Sequence, residues 1–501
     1  MDYRKNRIWT FTNNTNSRFR FLESIGFHQI GVSMFTCKGT FRGGYYFKNF
    51  KGTPKFEILD MGIPKSVVIP FQQGFGEAVE PVVKVGEQVK AGQIIAQKEE
   101  SLSSPIHSTV NGTVKEIKEI PYRGKNVLAA FIESDGSEGH LSVPGARSEI
   151  DSLSAQEIGD MLYLGGVSGL GNSGIPTHRK SALLSPEEVK YLLISALETH
   201  PFALSPSVLC ERKFSQVAGG IRLFRTLYPQ AEIVVGACKS DKAFAKSLAP
   251  LLVGIDNVRI VSLKPKYPQE SPEILAETLA GKKVPDGKSP DSIGAVVLEI
   301  GAVLAAFETV AEGKPLISKL IGLGGTGYKQ NAAIRIRIGT LAEEILSKWG
   351  KENVEKRFLL GNALTGDEAA SSTPVGREIG TTTCLEEDRK RQFMFFLRPG
   401  TDADSYSNAF ASGLLPIEKK LTTNLNGEHR PCIQCSYCED VCPRPLLPYL
   451  LSKYCAHDMA EEALQIRMMG CIECGLCAYV CPSKIPLMAD IQKGKAAIGQ
   501  N

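Results

Sequence analysis

Cys432-Ile433-Gln434-Cys435-Ser436-Tyr437-Cys438-Glu439-Asp440-Val441-Cys442-Pro443 is repeated as Cys471-Ile472-Glu473-Cys474-Gly475-Leu476-Cys477-Ala478-Tyr479-Val480-Cys481-Pro482. Both stretches read Cys-x2-Cys-x2-Cys-x3-Cys-Pro, a spacing that holds [4Fe–4S] clusters. Three cysteines two residues apart curl the backbone around three iron corners of one cube. The fourth lies too far along to close the same cube and, in two-cluster domains, ligates the other one. The predicted ligand sets are therefore Cys432, Cys435, Cys438 and Cys481 for one cluster, and Cys442, Cys471, Cys474 and Cys477 for the second. Each proline turns the chain away after its last ligand. Residues 443–470 leave room for two short helices, the second predicted over Met459–Met469 with Asp458 as its N-cap.

Structural zinc prefers paired Cys-x2-Cys knuckles across a long gap, and disulfides need an oxidising compartment. Neither fits two four-cysteine runs that each end in proline. The remaining cysteines, Cys37, Cys210, Cys238, Cys384 and Cys455, are scattered and read as small buried hydrophobes.

Working outward, 501 residues allow several domains, and a composition of 43% hydrophobic and 22% charged residues is that of an ordinary globular chain. A net charge of +4 is too small to argue for nucleic acid. No apolar run reaches membrane-spanning length; Phe393–Leu397 is strand-sized. Residues 1–33 are polar and lack the apolar core of a secretory signal, so they read as a disordered extension or as lying upstream of a start at Met34.

Residues 68–118 alternate short apolar runs with turns at Gly86, Gly92, Asn111 and Gly112. This pattern resembles a biotinyl/lipoyl-type sandwich, the barrel-sandwich hybrid. No lysine with carrier flanks sits at the tip, Lys98 included, so a structural module is expected, with His107 as a packed turn residue. From Tyr191 onward, strands 191–194, 232–235, 259–263 and 295–298 alternate with helices near 214–227, 241–252, 272–280 and 302–313. Such alternation predicts a parallel sheet whose ligand lies at the strands' carboxyl ends. Ser271-Pro272 marks one helix start. A strand at Ala332–Ile338, a capping box Thr340-x-x-Glu343, a helix to Trp349 and a strand at Phe358–Leu360 suit a β-grasp-like module. Between the first two modules, Gly165–Thr177 is glycine-rich and leads to Lys180. Glycines permit close backbone approach to a phosphate, although the pattern is not a P-loop.

From about Thr40 to Lys495 the chain resembles the C subunit of Rnf-type ion-translocating ferredoxin:NAD oxidoreductases. The resemblance is carried by Thr40-Phe41-Arg42-Gly43-Gly44, Pro70-Phe71-Gln72-Gln73, Lys266-Tyr267-Pro268-Gln269, Glu312-Gly313-Lys314-Pro315, Arg337-Ile338-Gly339-Thr340 and both cysteine runs. It implies a multidomain α+β chain. Its expected parts are an extension (1–33), a barrel-sandwich-hybrid domain (34–135), a Rossmann-like FMN/NADH-type domain (136–325), a β-grasp module (326–400), a linker (401–428), an α-helical two-cluster ferredoxin-type domain (429–490) and a tail (491–501).

The same resemblance implies FMN on Gly169, Gly171, Gly174, Lys180 and Glu198, with NAD(H) as hydride donor and no catalytic side chain of its own. The implied partners are integral-membrane subunits and ferredoxin-like or flavin electron-transfer subunits, at the cytoplasmic face of a membrane. Where the family carries an asparagine and two glutamates, Ser195–Pro201 retains only Glu198. Glu270 and Ser271 stand where it carries glycines. Two alternatives follow: a soluble reductase of the cobalamin-reducing type, or an iron–sulfur relay without NADH binding.

Overall fold

The computed structural model describes residues 33–36, 41–47, 50, 58–98, 103–170, 174–182, 184–210, 213–387, 404, 406, 411–421 and 429–499. Expectations for residues 1–32, Cys37, Gly171, the Phe393–Leu397 run and most of 401–428 fall outside the described residues.

Strands Ser66–Pro70, Lys125–Ser134, Gly112–Tyr122 and Gln88–Val89 form one sheet of the first module, and Glu80–Pro81, Ile94–Gln97 and Ile106–His107 form another. Their inward residues, including Val67, Ile69, Phe71, Ile95, Val114 and Ile132, share one core. Period-two alternation places these side chains on one face. Lys98 pairs with Glu77 at 2.7 Å, so it serves as a surface ion pair.

His107 is buried, and its Nε2 lies 2.8 Å from the Leu164 carbonyl oxygen, joining this module to the next. Burial lowers its pKa from the ordinary 6.5 to about 4. The unfolded chain then takes up a proton near pH 6.5 that the folded chain refuses until about pH 4. Stability from this group is full above pH 6.5 and is lost as pH falls toward 4. Lowering the pH from 7 to 5 should cost about 2 kcal/mol through this residue. Urea midpoints at the two pH values should differ clearly less in His107→Gln, and an equal difference would remove His107 as the cause.

Next, five parallel strands run in spatial order Ser33–Thr36, Val258–Leu263, Glu232–Cys238, Tyr191–Ala196 and Ala295–Glu299. Leu192 and Ile194 face the helices Phe214–Leu227 and Ile300–Glu312, whereas Leu193 faces the helix Pro272–Ala280. Near-continuous apolar strands are what burial on both faces requires. The connection order reverses between Tyr191–Ala196 and Ala295–Glu299. The crevice in which such sheets hold their ligands is the place beyond the strand ends at this switch point.

The third unit is a sheet in the order Asp367–Glu368, Lys356–Leu360, Thr381–Glu386, Ser318–Gly324, Ala332–Arg337 and Ile58–Asp60, with the helix Ala342–Trp349 after its hairpin. Thr381–Glu386 runs parallel beside Ser318–Gly324, the β-grasp arrangement. Two boundary expectations are corrected here. Ser318–Gly324 leaves the Rossmann-like unit because it pairs antiparallel with Ala332–Arg337. Ile58–Asp60 joins the same sheet through Ala333–Arg335. The expected capping box is absent: Thr340 Oγ1 donates to the Arg337 carbonyl, and the helix starts after Leu341.

The C-terminal unit is helical, with Pro448–Ala456 packed against Leu487–Gly499. Its second inter-repeat helix is shorter than expected, Ala460–Gln465, and is N-capped by Met459. Asp458 instead has φ 58° and accepts from Lys493 at 2.8 Å. Cys210, Cys238, Cys384 and Cys455 are buried free thiols. Among the described residues, no helix is long and apolar enough to cross a membrane.

Candidate functional site

The two cysteine runs fold alike. Gln434 and Glu473 have φ of 56° and 54°, and Ser436 and Gly475 have φ of 60° and 76°. These left-handed residues bend each loop so that backbone donors face sulfur. The Gln434 N–H reaches Cys432 Sγ, and the Glu473 N–H reaches Cys471 Sγ, both at 3.4 Å. Short helices Tyr437–Asp440 and Leu476–Tyr479 then carry the third cysteines.

Two cavities result. One is lined by Cys432, Cys435, Cys438 and Cys481, and the other by Cys442, Cys471, Cys474 and Cys477. Each thus draws three thiols from one run and the fourth from the other, the crossed grouping expected from the spacing. Cys432 is exposed and Ile433 beside it is 60% exposed, so the first cavity lies at the surface. The second is flanked by Leu446, Leu451, Met488 and Ile491 and is the inner one.

Burial pushes the Cys442 thiol up to about 11 and the Cys438 thiol up to about 12. Cys477 is raised first by burial and then by Cys474, Cys471 and Cys442. Thiols gathered this way oppose their own ionisation, and a bound cationic metal centre reverses that cost. Among the described residues, no group of three or more His, Cys, Asp or Glu side chains is placed to hold a single metal ion. The donor set, all sulfur with amide N–H groups aimed at it, suits a cluster.

Three other segments cradle the inner cavity. The Gly44 N–H donates to the Val441 carbonyl at 2.7 Å. Gly43 has φ 64°, and a Cβ there would stand 2.2 Å from the Cys442 carbonyl oxygen, so the N-terminal Gly-Gly pair is required by contact with the ligand loop. Tyr267 Oη donates to the Cys474 carbonyl at 2.8 Å. Gly475 lies under the Leu364 carbonyl. Tyr45, Phe47, Tyr267 and Tyr479 pack edge-on or tilted with ring centroids 4.8–5.9 Å apart, and Asp404 accepts from Tyr45 and Tyr479.

Tyr267 also belongs to the loop that walls the crevice of the parallel sheet. Glu198, Thr199 and His200 follow the strand Tyr191–Ala196. His200 Nε2 is 3.3 Å from Glu198 Oε2, and Thr199 Oγ1 donates to Glu270 Oε2. Burial raises the carboxyl pKa of Glu198, and that of Glu270 to about 7. His200 is also raised, because Glu198 and Glu270 outweigh its burial.

At the other side of the crevice, Lys180 Nζ donates to the Val297 carbonyl at 2.9 Å, with its pKa lowered by burial. Gly169 is held by its N–H to the Ile175 carbonyl at 2.8 Å. Gly174 has φ 54° and a Cβ there would be 2.6 Å from Gly74 Cα, so this glycine is needed for packing on the first module. Glu299 acts electrostatically on both Lys180 and Glu198, and Gly174 has a packing role.

Sequence reading missed Lys319. It is buried, donates to the Leu170 carbonyl at 3.1 Å and to the Arg377 carbonyl, and burial lowers its pKa to about 7. Glu299, at the end of its strand, acts electrostatically on Lys180, Glu198 and Lys319. The signal was present as a lysine inside the run Ile317-Ser318-Lys319-Leu320-Ile321 and an acid closing Val296-Val297-Leu298.

Residues 39–137 match the RnfC barrel sandwich hybrid domain, 164–309 the Nuo51 FMN-binding domain and 431–485 a 4Fe-4S dicluster domain. The C subunit of an ion-translocating oxidoreductase complex from Pseudomonas aeruginosa is 30% identical over 449 residues, which cover 88% of this chain and 53% of that protein. The C subunit of the Na(+)-translocating ferredoxin:NAD(+) oxidoreductase complex of Acetobacterium woodii is 28% identical over 465 residues, 92% of this chain and 97% of that protein. Its proton-translocating counterpart from Clostridium ljungdahlii is 27% identical over 430 residues, 85% of this chain and 86% of that protein. The chain spans about half the length of the Pseudomonas protein and nearly all of the Acetobacterium one. Module by module and along most of its length, the chain closely resembles the C subunit of the Rnf-type ion-translocating ferredoxin:NAD oxidoreductases.

Proposed function

We propose that this chain is the peripheral iron–sulfur and flavin subunit of a membrane-bound ion-translocating oxidoreductase, passing electrons between NAD(H) and ferredoxin-type carriers. The observation that carries this reading is a shared loop: Tyr267 donates to the carbonyl of Cys474, a cysteine of the inner cavity, and Glu270, three residues on, accepts from Thr199 just past the strand Tyr191–Ala196. Cys442, Cys471, Cys474 and Cys477 are assigned to an inner [4Fe–4S] cluster, and Cys432, Cys435, Cys438 and Cys481 to an outer one. FMN is assigned beyond the carboxyl ends of the parallel strands, on Gly169, Gly171, Lys180 and Glu198, while Gly174 serves packing on the first module. When bound, a flavin splits a hydride's two electrons into single steps and the clusters carry them singly.

The chain's own residues do the rest. Lys180 would supply positive charge to a phosphate, and Lys319, whose pKa burial lowers to about 7, ties the Leu170 and Arg377 carbonyls together. Tyr45, Phe47 and Tyr479 form an aromatic layer that packs beside Cys474. Cys432 and Ile433 place the outer cavity at the surface, where a membrane subunit or a ferredoxin-like or flavin-bearing subunit docks.

A second reading, a relay without NADH, is favoured by one feature. The Glu198–His200 and Thr199–Glu270 contacts put polar side chains across the crevice.

Protein purified without oxygen should contain about eight irons, a matching amount of sulfide and one flavin, and stoichiometric NADH should bleach the flavin. Zinc in place of iron rejects the cluster assignment. Flavin-free protein that resists reconstitution leaves the relay. Lys180→Glu sets a carboxylate against the Val297 carbonyl and removes a cation from the phosphate's place. FMN affinity should fall about a hundredfold or more, equivalent to about 2.8 kcal/mol, with iron content unchanged. Unaltered flavin binding would take Lys180 out of the site.

A further inference from the structure

Arg444 stands two residues past Cys442 and lines the inner cavity. Its side chain is 3% exposed. Nη1 donates to Glu277, and Nη2 donates to the Val284 carbonyl at 2.9 Å and to Asp286 Oδ1 at 3.1 Å. All three acceptors belong to the Rossmann-like unit. The Nε–H is buried and has no partner among the described residues. The backbone N–H of Arg444 is directed at the Cys442 sulfur, and the guanidinium acts on that sulfur in the sense that favours negative charge. A buried guanidinium holding one N–H in reserve is costly unless something accepts it.

The second repeat offers an internal comparison. Its matching residue is Ser483, whose hydroxyl donates to the Pro431 carbonyl at 2.9 Å. The equivalent place at the outer cavity therefore holds a neutral hydroxyl. Lys495 is paired with Glu473 at 2.7 Å and donates to the Cys471 carbonyl at 2.6 Å, but it does not line the inner cavity as Arg444 does. Asp286 is shared with Arg467, which donates to its Oδ2 at 2.6 Å.

We infer that Arg444 sets the reduction potential of the inner cluster, and that Glu277 and Asp286 make that setting depend on how the cysteine-rich unit docks on the Rossmann-like unit. This rests on the assignment of Cys442, Cys471, Cys474 and Cys477 to one cluster. Reduction adds one electron and no proton, so the cluster becomes more negative by one charge. A fixed cation and an N–H donor at its edge stabilise the reduced form more than the oxidised form. Hydrogen bonds to sulfur, local charge and exposure are the levers by which a protein moves such potentials. The two carboxylates draw on the same guanidinium and temper the effect. Arg444 is thus a positioning residue for electron transfer, acting on the cluster through charge and through the Cys442 loop.

The test is a redox titration of the anaerobically purified full chain, followed by EPR, alongside thermal unfolding. Arg444→Gln should lower the inner cluster's reduction equilibrium about tenfold, about 59 mV for one electron, and leave the outer cluster in place. Arg444→Lys, which keeps the charge without the Nε–H, should recover part of the shift. Glu277→Gln, with Arg444 retained, should move the inner cluster the opposite way. A fall in unfolding temperature with both potentials unmoved would reduce Arg444 to a domain clamp and overturn the inference, as would movement of the outer cluster alone. If Arg444→Gln fails to hold the inner cluster, Glu277→Gln decides, and an unshifted potential there rejects the idea. Wild-type protein with far fewer than about eight irons or only one EPR signal would instead reject the ligand assignment itself.

Discussion

Replacing Cys442 with alanine is expected to remove the inner cluster and spare the outer one. About four of about eight irons should be lost, although Cys442 lies in the first repeat, beside Cys438. The reason is the grouping of cavities: Cys442 shares one with Cys471, Cys474 and Cys477, while Cys432, Cys435 and Cys438 share theirs with Cys481. Cys481→Ala should give the mirror result. EPR and iron analysis of the two variants form a complementary pair. Loss of the Cys432 signal in Cys442→Ala would mean that each repeat closes its own cube.

The second large effect is expected at Arg377. This guanidinium is buried where three units meet. Nη1 donates to the Pro105 carbonyl at 3.2 Å and to the Gly166 carbonyl at 3.5 Å, and Nη2 donates to the Ser104 carbonyl at 3.5 Å. Its backbone N–H donates to Gln73 Oε1 at 3.0 Å. Glu378 beside it is also buried and accepts from Tyr122 Oη at 2.5 Å. Truncation to alanine leaves three buried carbonyls without their donor. The expected loss is about 3–5 kcal/mol, read as a fall in the urea midpoint of the transition that includes the first module. Arg377→Lys should recover little, because one ammonium does not span the same three carbonyls. A loss below about 1 kcal/mol, the usual worth of a surface pair, would show that water takes over the bonds.

The partners of Arg377 and Lys319 were not legible in the sequence. Arg377 lies in a turn and Lys319 in an apolar strand, and carbonyls they hold, such as those of Pro105 and Leu170, lie in other units of the fold. The helices Phe214–Leu227 and Pro272–Ala280, by contrast, were legible in place and extent, because their apolar period and the Ser271-Pro272 start are local facts. Local signals failed where a side chain had a better offer. Thr340 turned to the Arg337 carbonyl, and Asp458 to Lys493.

The cysteine grouping was legible because the spacing itself forbids a fourth ligand from the same run. Lys180 was legible as a position, but its direction toward the Val297 carbonyl was not. Gly174 read as phosphate-binding, yet the Gly74 backbone occupies the space its missing side chain leaves. The tie between crevice and inner cavity was invisible for a similar reason, since Tyr267 and Cys474 lie on segments that only the tertiary fold brings together.

The crossed pairing of the two repeats bears on how the molecule is made. The inner cavity is incomplete until Cys477 has been synthesised, and the outer one until Cys481, because each borrows from the second run. A growing chain that has passed Cys442 but not yet reached Cys471 offers scavenging iron only partial sites. Neither cavity then gains its full set of thiols before the second run has been made. A premature stop anywhere between 443 and 470 would leave neither cavity with its four thiols.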